Sequence, residues 1–217
     1  MANAIGPPLK VVVAQHIRDR IFTGVLRPGA RIDQDAVAEE VGVSKLPVRE
    51  ALILLESEGV VRSKPRRGAY VAAITPDDIR DHYQLFGLAS GIAARRAADH
   101  LTDFQLDELG NLLKQMDHQV QPDELEQLNE RFHRIVNSAG GSRRLKSVLR
   151  LLGDTIPGRY YEISEEWEAA AREHHQQILD ALRAHDPDAA ADAMTAHIAA
   201  SGEYAVKYLN SIGFWSD

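Results

Sequence analysis

The chain has 217 residues, of which 44% are hydrophobic and 26% charged, and its formal net charge is −7. That composition is globular rather than disordered, and the length suits one large domain or two small ones. The absence of cysteine excludes disulfides, thiolate metal sites and cysteine nucleophiles. Apolar runs too short to span a bilayer, and a start without a secretory pattern, predict a soluble cytoplasmic protein with no membrane partner.

The average charge conceals an asymmetry. Residues 1–75 hold 11 Lys and Arg against 8 Asp and Glu, net +3; residues 76–217 hold 14 against 24, net −10. Phosphate binding needs a local basic surface, not a basic chain. The split predicts a basic domain over 1–75 and an acidic domain over 76–217, with chance drift of a few charges as the alternative.

In the first domain, Val13, Ile17 and Ile21 recur at a spacing of four and predict a helix over 9–22. Gly24 and Pro28-Gly29 end it. A short helix over 34–41 stops at Gly42. Ser44 is placed to cap a third helix, with Pro47 in its first turn, so its hydroxyl is left the Leu46 N–H as partner. Val48, Ala51, Leu52 and Leu55 give that helix a core face, and Lys45 and Arg49 lie off it. Gly59 closes the helix. Two short β-prone pieces, Val60-Val61 and Ala69-Tyr70-Val71, flank the basic turn from Lys64 to Gly68.

This order is that of a winged helix-turn-helix. Its third helix fits a major groove, with Arg49 as a forked contact to guanine and Lys45 on a base or phosphate. Arg66 and Arg67 on the wing suit phosphate or minor-groove contact. A helical protein–protein module with a solvated charged face is the alternative. Three stretches, Ile17–Gly29, Val41–Leu52 and Leu55–Val71, resemble the DNA-binding domain of GntR-family bacterial transcription regulators. The resemblance implies a DNA face built from Ser44, Lys45, Leu46, Arg49, Arg66, Arg67 and Gly68. Relatives usually carry Arg-Thr where this chain has Lys45-Leu46, which costs the bidentate fork and a hydroxyl and implies a different operator.

Beyond residue 75 the pattern is helical throughout. Thr75-Pro76-Asp77-Asp78 starts a helix to about residue 99, with Ile79, Tyr83, Phe86, Ser90, Ala93 and Ala97 on one stripe. Thr102 and Gln105 form a capping box for the next, to about Val120. Pro122, Ser142, Ser164 and Asp186 mark four more starts. The fold class predicted is therefore mainly α: a winged helix-turn-helix followed by an antiparallel bundle of about six helices.

Within the bundle His175 and His197 lie on inward stripes, and His133 follows Asn129 by one turn on one helix edge. Groups at i and i+4 can share an ion, which later helices complete. Spacing alone leaves two readings open, metal ligands or hydrogen-bonded core histidines. The segments Leu128–His133, Glu173–Leu182 and Ala193–Ile198 resemble the FCD ligand-binding domain of the FadR subgroup of GntR regulators. That resemblance implies a divalent metal held by Asn129, His133, His175 and His197. Three imidazoles and an amide oxygen suit zinc or nickel. With no carboxylate in the set, an anionic effector such as a small carboxylate is expected at the open position. Related domains carry an Arg and a Glu on their first helix, near Phe86 and Ser90 here, so these two residues mark an effector pocket of altered chemistry.

The function expected is an effector-responsive, homodimeric repressor that binds an inverted-repeat site on double-stranded DNA. The alternatives are a DNA-binding dimer with a vestigial pocket, and a metal-dependent enzyme. The last lacks a base, since Glu130, the acid adjacent to the ligand motif, points away from His133 on its helix.

Overall fold

A computed structural model describes residues 6–117, 121–156 and 165–216, without the side chains of 122 and 165–168. These residues fall into two compact units. The first joins 6–75 to 155–156 and 209–216; the second contains the described parts of 76–154 and 165–208.

The first unit contains α1 (Leu9–Phe22), β1 (Arg31–Ile32), α2 (Gln34–Val41), α3 (Lys45–Ser57), β2 (Val61–Lys64) and β3 (Gly68–Val71). Val13, Ile17 and Ile21 of α1 are fully buried, as are Val48, Ala51 and Leu55 of α3, as the stripes require. The strands form one antiparallel sheet in the order β1-β3-β2, with Arg62 opposite Tyr70 and Arg31 also facing Tyr70. β1 is absent from the sequence reading because two residues are too few to display an alternation.

Two local features differ from expectation. Ser44 occupies the N-cap of α3 in extended conformation, but its side chain makes no capping bond. Pro47 removes the N3 donor that a serine cap ordinarily uses, and Leu46 does not replace it. The cap of α2 is made instead: Asp33 accepts from the N–H groups of Asp35 and Ala36. The C-terminal residues join the first unit's core, beyond the assignment of 76–217 to a single domain. Phe214 is 1% exposed and stacks on Phe22 at 6.3 Å, and the Trp215 Nε1–H donates to the Ile74 carbonyl at 2.8 Å.

The unit also buries an ion pair. Arg18 of α1 and Glu58, the C-cap of α3, are each 3% exposed, and the guanidinium donates to both carboxylate oxygens, at 2.6 and 2.8 Å from one nitrogen. A buried charge is tolerable only with such a partner.

The described residues of the second unit form six helices: α4 (Pro76–Ala97), α5 (Asp103–Met116), α6 (Pro122–Gly140), α7 (Arg143–Gly153), α8 (Glu165–Arg183) and α9 (Pro187–Ser211), the last continuing three residues past the unit's boundary. The Thr102–Gln105 capping box is present, Ser142 accepts from the Leu145 N–H, and Asp186 accepts from the Ala189 N–H. The expected starts at Ser164 and end at Val120 lie outside the described residues. Helix α4 touches its neighbours backbone to backbone. A Cβ on Gly87 would sit 2.8 Å from the Thr195 carbonyl oxygen and one on Gly91 2.9 Å from that of Ala191, while one on Gly140 would collide with the Ala93 carbonyl. Gly202 instead faces the Tyr83 side chain, whose Cβ would lie 2.9 Å from an added Cβ. Residues 83, 87 and 91 thus meet 202, 198 and 191, so α4 and α9 run antiparallel. Among the described residues no helix is long and apolar enough to cross a membrane.

Arg18→Ala strands the Glu58 carboxylate in a dry site. The expected loss is about 3–5 kcal/mol of unfolding free energy, with the apolar pair Arg18→Met/Glu58→Leu much closer to wild type. Urea denaturation of both variants measures this, and an Arg18→Ala loss below about 1 kcal/mol contradicts the assignment.

Candidate metal centre and nucleic-acid face

Three helices deliver one imidazole each to a common point. His133 comes from α6, His175 from α8 and His197 from α9. The Nε2 of His133 stands 3.3 Å from that of His175 and 3.2 Å from that of His197, and candidate ligand atoms of all three lie within 4.8 Å of one another. Two Zn–N bonds of about 2.0–2.1 Å at a tetrahedral angle hold their nitrogens about 3.3 Å apart, so this spacing fits a first coordination shell. A single proton between nitrogens could satisfy only one of the two close pairs, leaving lone pairs face to face. Asn129 is buried, one turn before His133 on α6.

Burial keeps these rings neutral. It pushes His133 down to about 4 from the ordinary 6.5. It holds His175 and His197 well below 6.5, with the neighbouring imidazoles adding in the same direction. All three therefore present lone pairs at neutral pH, as a metal ligand must. The Nδ1 atoms of His133 and His197 are buried without a hydrogen-bond partner among the described residues. Orientation comes from ring contacts instead. His133 and His197 stack at 5.1 Å, Phe132 meets His175 edge-on at 4.8 Å, and His174 meets His197 edge-on at 5.8 Å. His174 is thus a neighbour of the cluster.

The two expected pocket residues part company. Phe86 packs with Leu145, Val148 and Leu152 against Ala89, Ala93 and Leu149, in the apolar contact between α4 and α7. Ser90 is fully buried, and its Oγ finds no partner among the described residues. Asn137, four residues after His133, has an Oδ1 in the same state. The sequence reading passed over Asn137, although its place on the Asn129–His133 stripe was visible. Glu130 is exposed and pairs with Arg134, so it takes no part in the cluster. The Arg95-Arg96 and Arg143-Arg144 pairs are exposed, and Arg95 pairs with Asp188. The Trp167 side chain lies outside the described residues.

In the first unit, Lys45, Leu46 and Arg49 project from the start of α3 and are exposed, with Leu46 at 65%. Lys45 pairs with Asp35 at 2.7 Å, both well solvated. The wing turn places Arg66 at φ 61 and Gly68 at φ 95, which leaves Arg66 and Arg67 exposed at its tip. Glu56 of α3 accepts from both the backbone N–H and the hydroxyl of Ser63, tying the wing's first strand to the helix. Lys64 lies over the Tyr70 ring at 4.3 Å, and the Tyr70 hydroxyl donates to the Arg67 carbonyl at 3.2 Å.

Comparison with known proteins divides the chain in the same order. A model described as bacterial regulatory proteins, gntR family, matches residues 9–71, and the FCD domain model matches residues 90–200, more than half the chain. An uncharacterized HTH-type transcriptional regulator of Mycobacterium tuberculosis is 28% identical over 190 residues, covering 88% of this chain and 78% of that protein. The HTH-type transcriptional repressor RspR of Escherichia coli is 27% identical, covering 88% and 86%. Among solved structures, E. coli McbR/YncC is similar in fold, with a TM-score of 0.68 at 23% identity over 93% of this chain and 98% of that one.

Buried neutral histidines make stability fall with acid. His82 is also pushed down to about 4 by burial, opposed by its hydrogen bond to the Leu152 carbonyl. With folded values of about 4 for His82 and His133 against 6.5, the unfolded chain binds more protons between these pH values. The stability of metal-free protein is expected to be level above pH 7 and to fall by about 1–2 kcal/mol per such histidine by pH 5. Denaturation midpoints at pH 7.5, 6 and 5 measure this; His82→Gln should flatten the slope, and a midpoint constant over that range contradicts it.

Proposed function

The chain belongs to the GntR family of bacterial regulators, carries a C-terminal FCD domain and is a DNA-binding transcriptional regulator; from that premise we propose a homodimeric repressor whose operator affinity responds to a small-molecule effector at a divalent metal centre. One observation carries the metal reading: three neutral imidazoles from three helices, two buried and His133 half-buried, converge with the nitrogen spacing that ligands of one ion need. Asn129 is assigned as the fourth protein ligand through its amide oxygen. The donor set suits zinc or nickel. Such an ion supplies an electrophilic centre for a carboxylate. Because none of the four ligands is anionic, the ion keeps its full charge for the effector, which draws an anion into the bundle.

The first unit is assigned the DNA contacts. The exposed Arg49 forks onto guanine, while Lys45, Leu46 and Ser44 stand at the same helix start. Arg66 and Arg67, presented by the turn at Gly68, take phosphates or the minor groove. An inverted-repeat operator on double-stranded DNA needs two copies. The dimer reading is supported by Leu85, Leu88 and Ile92, 46–59% exposed on one stripe of α4. That helix has Asp77 and Asp78 in its first turn and Arg95 and Arg96 in its last, so a second copy laid antiparallel opposes unlike charges. Repression is the role named for the relative RspR. The effector acts by binding two states of the dimer unequally.

The apolar surroundings of Phe86 favour a second reading, a DNA-binding dimer whose pocket no longer takes an effector. Native mass spectrometry separates the two. The first expects a dimer with one divalent ion per subunit, lost in His175→Ala. A metal-free dimer unchanged by zinc or nickel titration overturns the metal centre and leaves the second reading. Independently, Arg49→Ala should weaken binding to the gene's own upstream region by about 1–3 kcal/mol, about fivefold to a hundredfold, in fluorescence anisotropy at moderate salt. Unchanged affinity removes Arg49 from the interface.

A further inference from the structure

The polar groups left over in the helical unit are not scattered. Two fixed points give their level in the bundle. His133 of α6 meets His197 of α9, and the antiparallel register of α9 on α4 sets His197 beside the turn of Gly87. Gly140 of α6 lies on Ala93 and Ala97 of α4. From 133 to 140 along α6 therefore corresponds to 87 to about 95 along α4, and the two helices run parallel. Asn137 falls between the fixed points on α6, and Ser90 between them on α4. Asn137 shares the helix face of His133 and Gly140; Ser90 shares that of Ala93 and Ala97. Both carry a buried oxygen with no hydrogen-bond partner among the described residues, and Ser90 is 0% exposed. Burying two such groups unpaired is costly. Every described Lys and Arg of the helical unit is exposed, so no cation of the described residues is buried at this level.

We propose that Asn137 and Ser90 form a neutral hydrogen-bonding subsite one helical turn above the three imidazoles, which selects a small monocarboxylate bearing a hydroxyl or amide over a dicarboxylate. The inference rests on the metal-centre reading. The ion takes the single carboxylate, and the far end of the ligand meets an amide and a hydroxyl instead of a guanidinium. A second carboxylate would arrive there without a counter-charge, which a buried site does not tolerate. A hydroxyl or amide satisfies both orphaned oxygens.

The test uses full-length, zinc-loaded protein, with zinc affinity measured first by competition against a chromophoric chelator. Glycolate and glycerate are then titrated calorimetrically against malonate and succinate. The expected result is at least tenfold tighter binding of the hydroxy acids. Asn137→Leu and Ser90→Ala should each lower hydroxy-acid affinity about tenfold and leave zinc affinity unchanged. Dicarboxylates binding as tightly, no acid binding at all, or both variants keeping wild-type affinity overturns the subsite while the metal centre stands. Failure of the wild-type protein to bind either zinc or nickel overturns the metal centre, and the subsite with it.

Discussion

The helical unit is governed by how closely α4 approaches α9 and α6. Three glycines, at 87, 91 and 140, stand where a methyl group would strike a carbonyl oxygen of the facing helix. Ala89, Ala93, Ala94 and Ala97 continue the same small-residue surface along α4, each 8% exposed or less. At those three contacts side chains have no room between the helices, and dispersion contacts between backbones replace them. The interior polar groups are accordingly short or flat: a hydroxyl, two amides and three imidazoles. The described Lys and Arg residues of this unit, which need length to carry their charge to water, are all placed outside.

Two solutions to burying polarity stand side by side in one chain. The first unit buries a full ion pair, Arg18 with Glu58, and satisfies it by bidentate geometry. The second buries neutral rings whose charged forms burial suppresses, so it meets no Coulombic cost until a cation or a proton arrives. The imidazoles are aligned by Phe132, His174 and one another rather than by hydrogen bonds on the Nδ1 atoms of His133 and His197. Stacking fixes a ring plane but not a tautomer, so the proton on those two rings is free to take Nδ1 when Nε2 is needed.

Features with a short period or a short range were legible in the sequence, and those depending on distant partners were not. The stripes of α1, α3 and α4 and the capping box at Thr102 follow from spacing within one turn, and each stands where it was read. The imidazole trio was within reach because the inward phases of His175 and His197 and the Asn129–His133 pair on one helix edge can each be read from spacing, though their convergence needs the register of α6, α8 and α9. By contrast, the partner of Arg18 lies 40 residues away, and Phe214 finds Phe22 across almost the whole chain. Local pattern carries no information about either. Ser44 shows the opposite limit: the cap motif was legible, but Pro47 had removed the donor, and the hydroxyl did not move to the next one.

A net charge of −7 argues against nucleic-acid binding only if charge acts as an average. At physiological salt the Debye length is about 8 Å, so a phosphate senses the side chains of one face and little beyond. Lys45, Arg49, Arg62, Lys64, Arg66 and Arg67 are all exposed within the winged helix, whereas Asp35 and Glu56 there are engaged with Lys45 and Ser63. The acid excess resides in the helical unit, where it opposes any second, unspecific hold on the duplex. The acidity of the whole chain and a local excess of exposed cations in the winged helix are thus compatible.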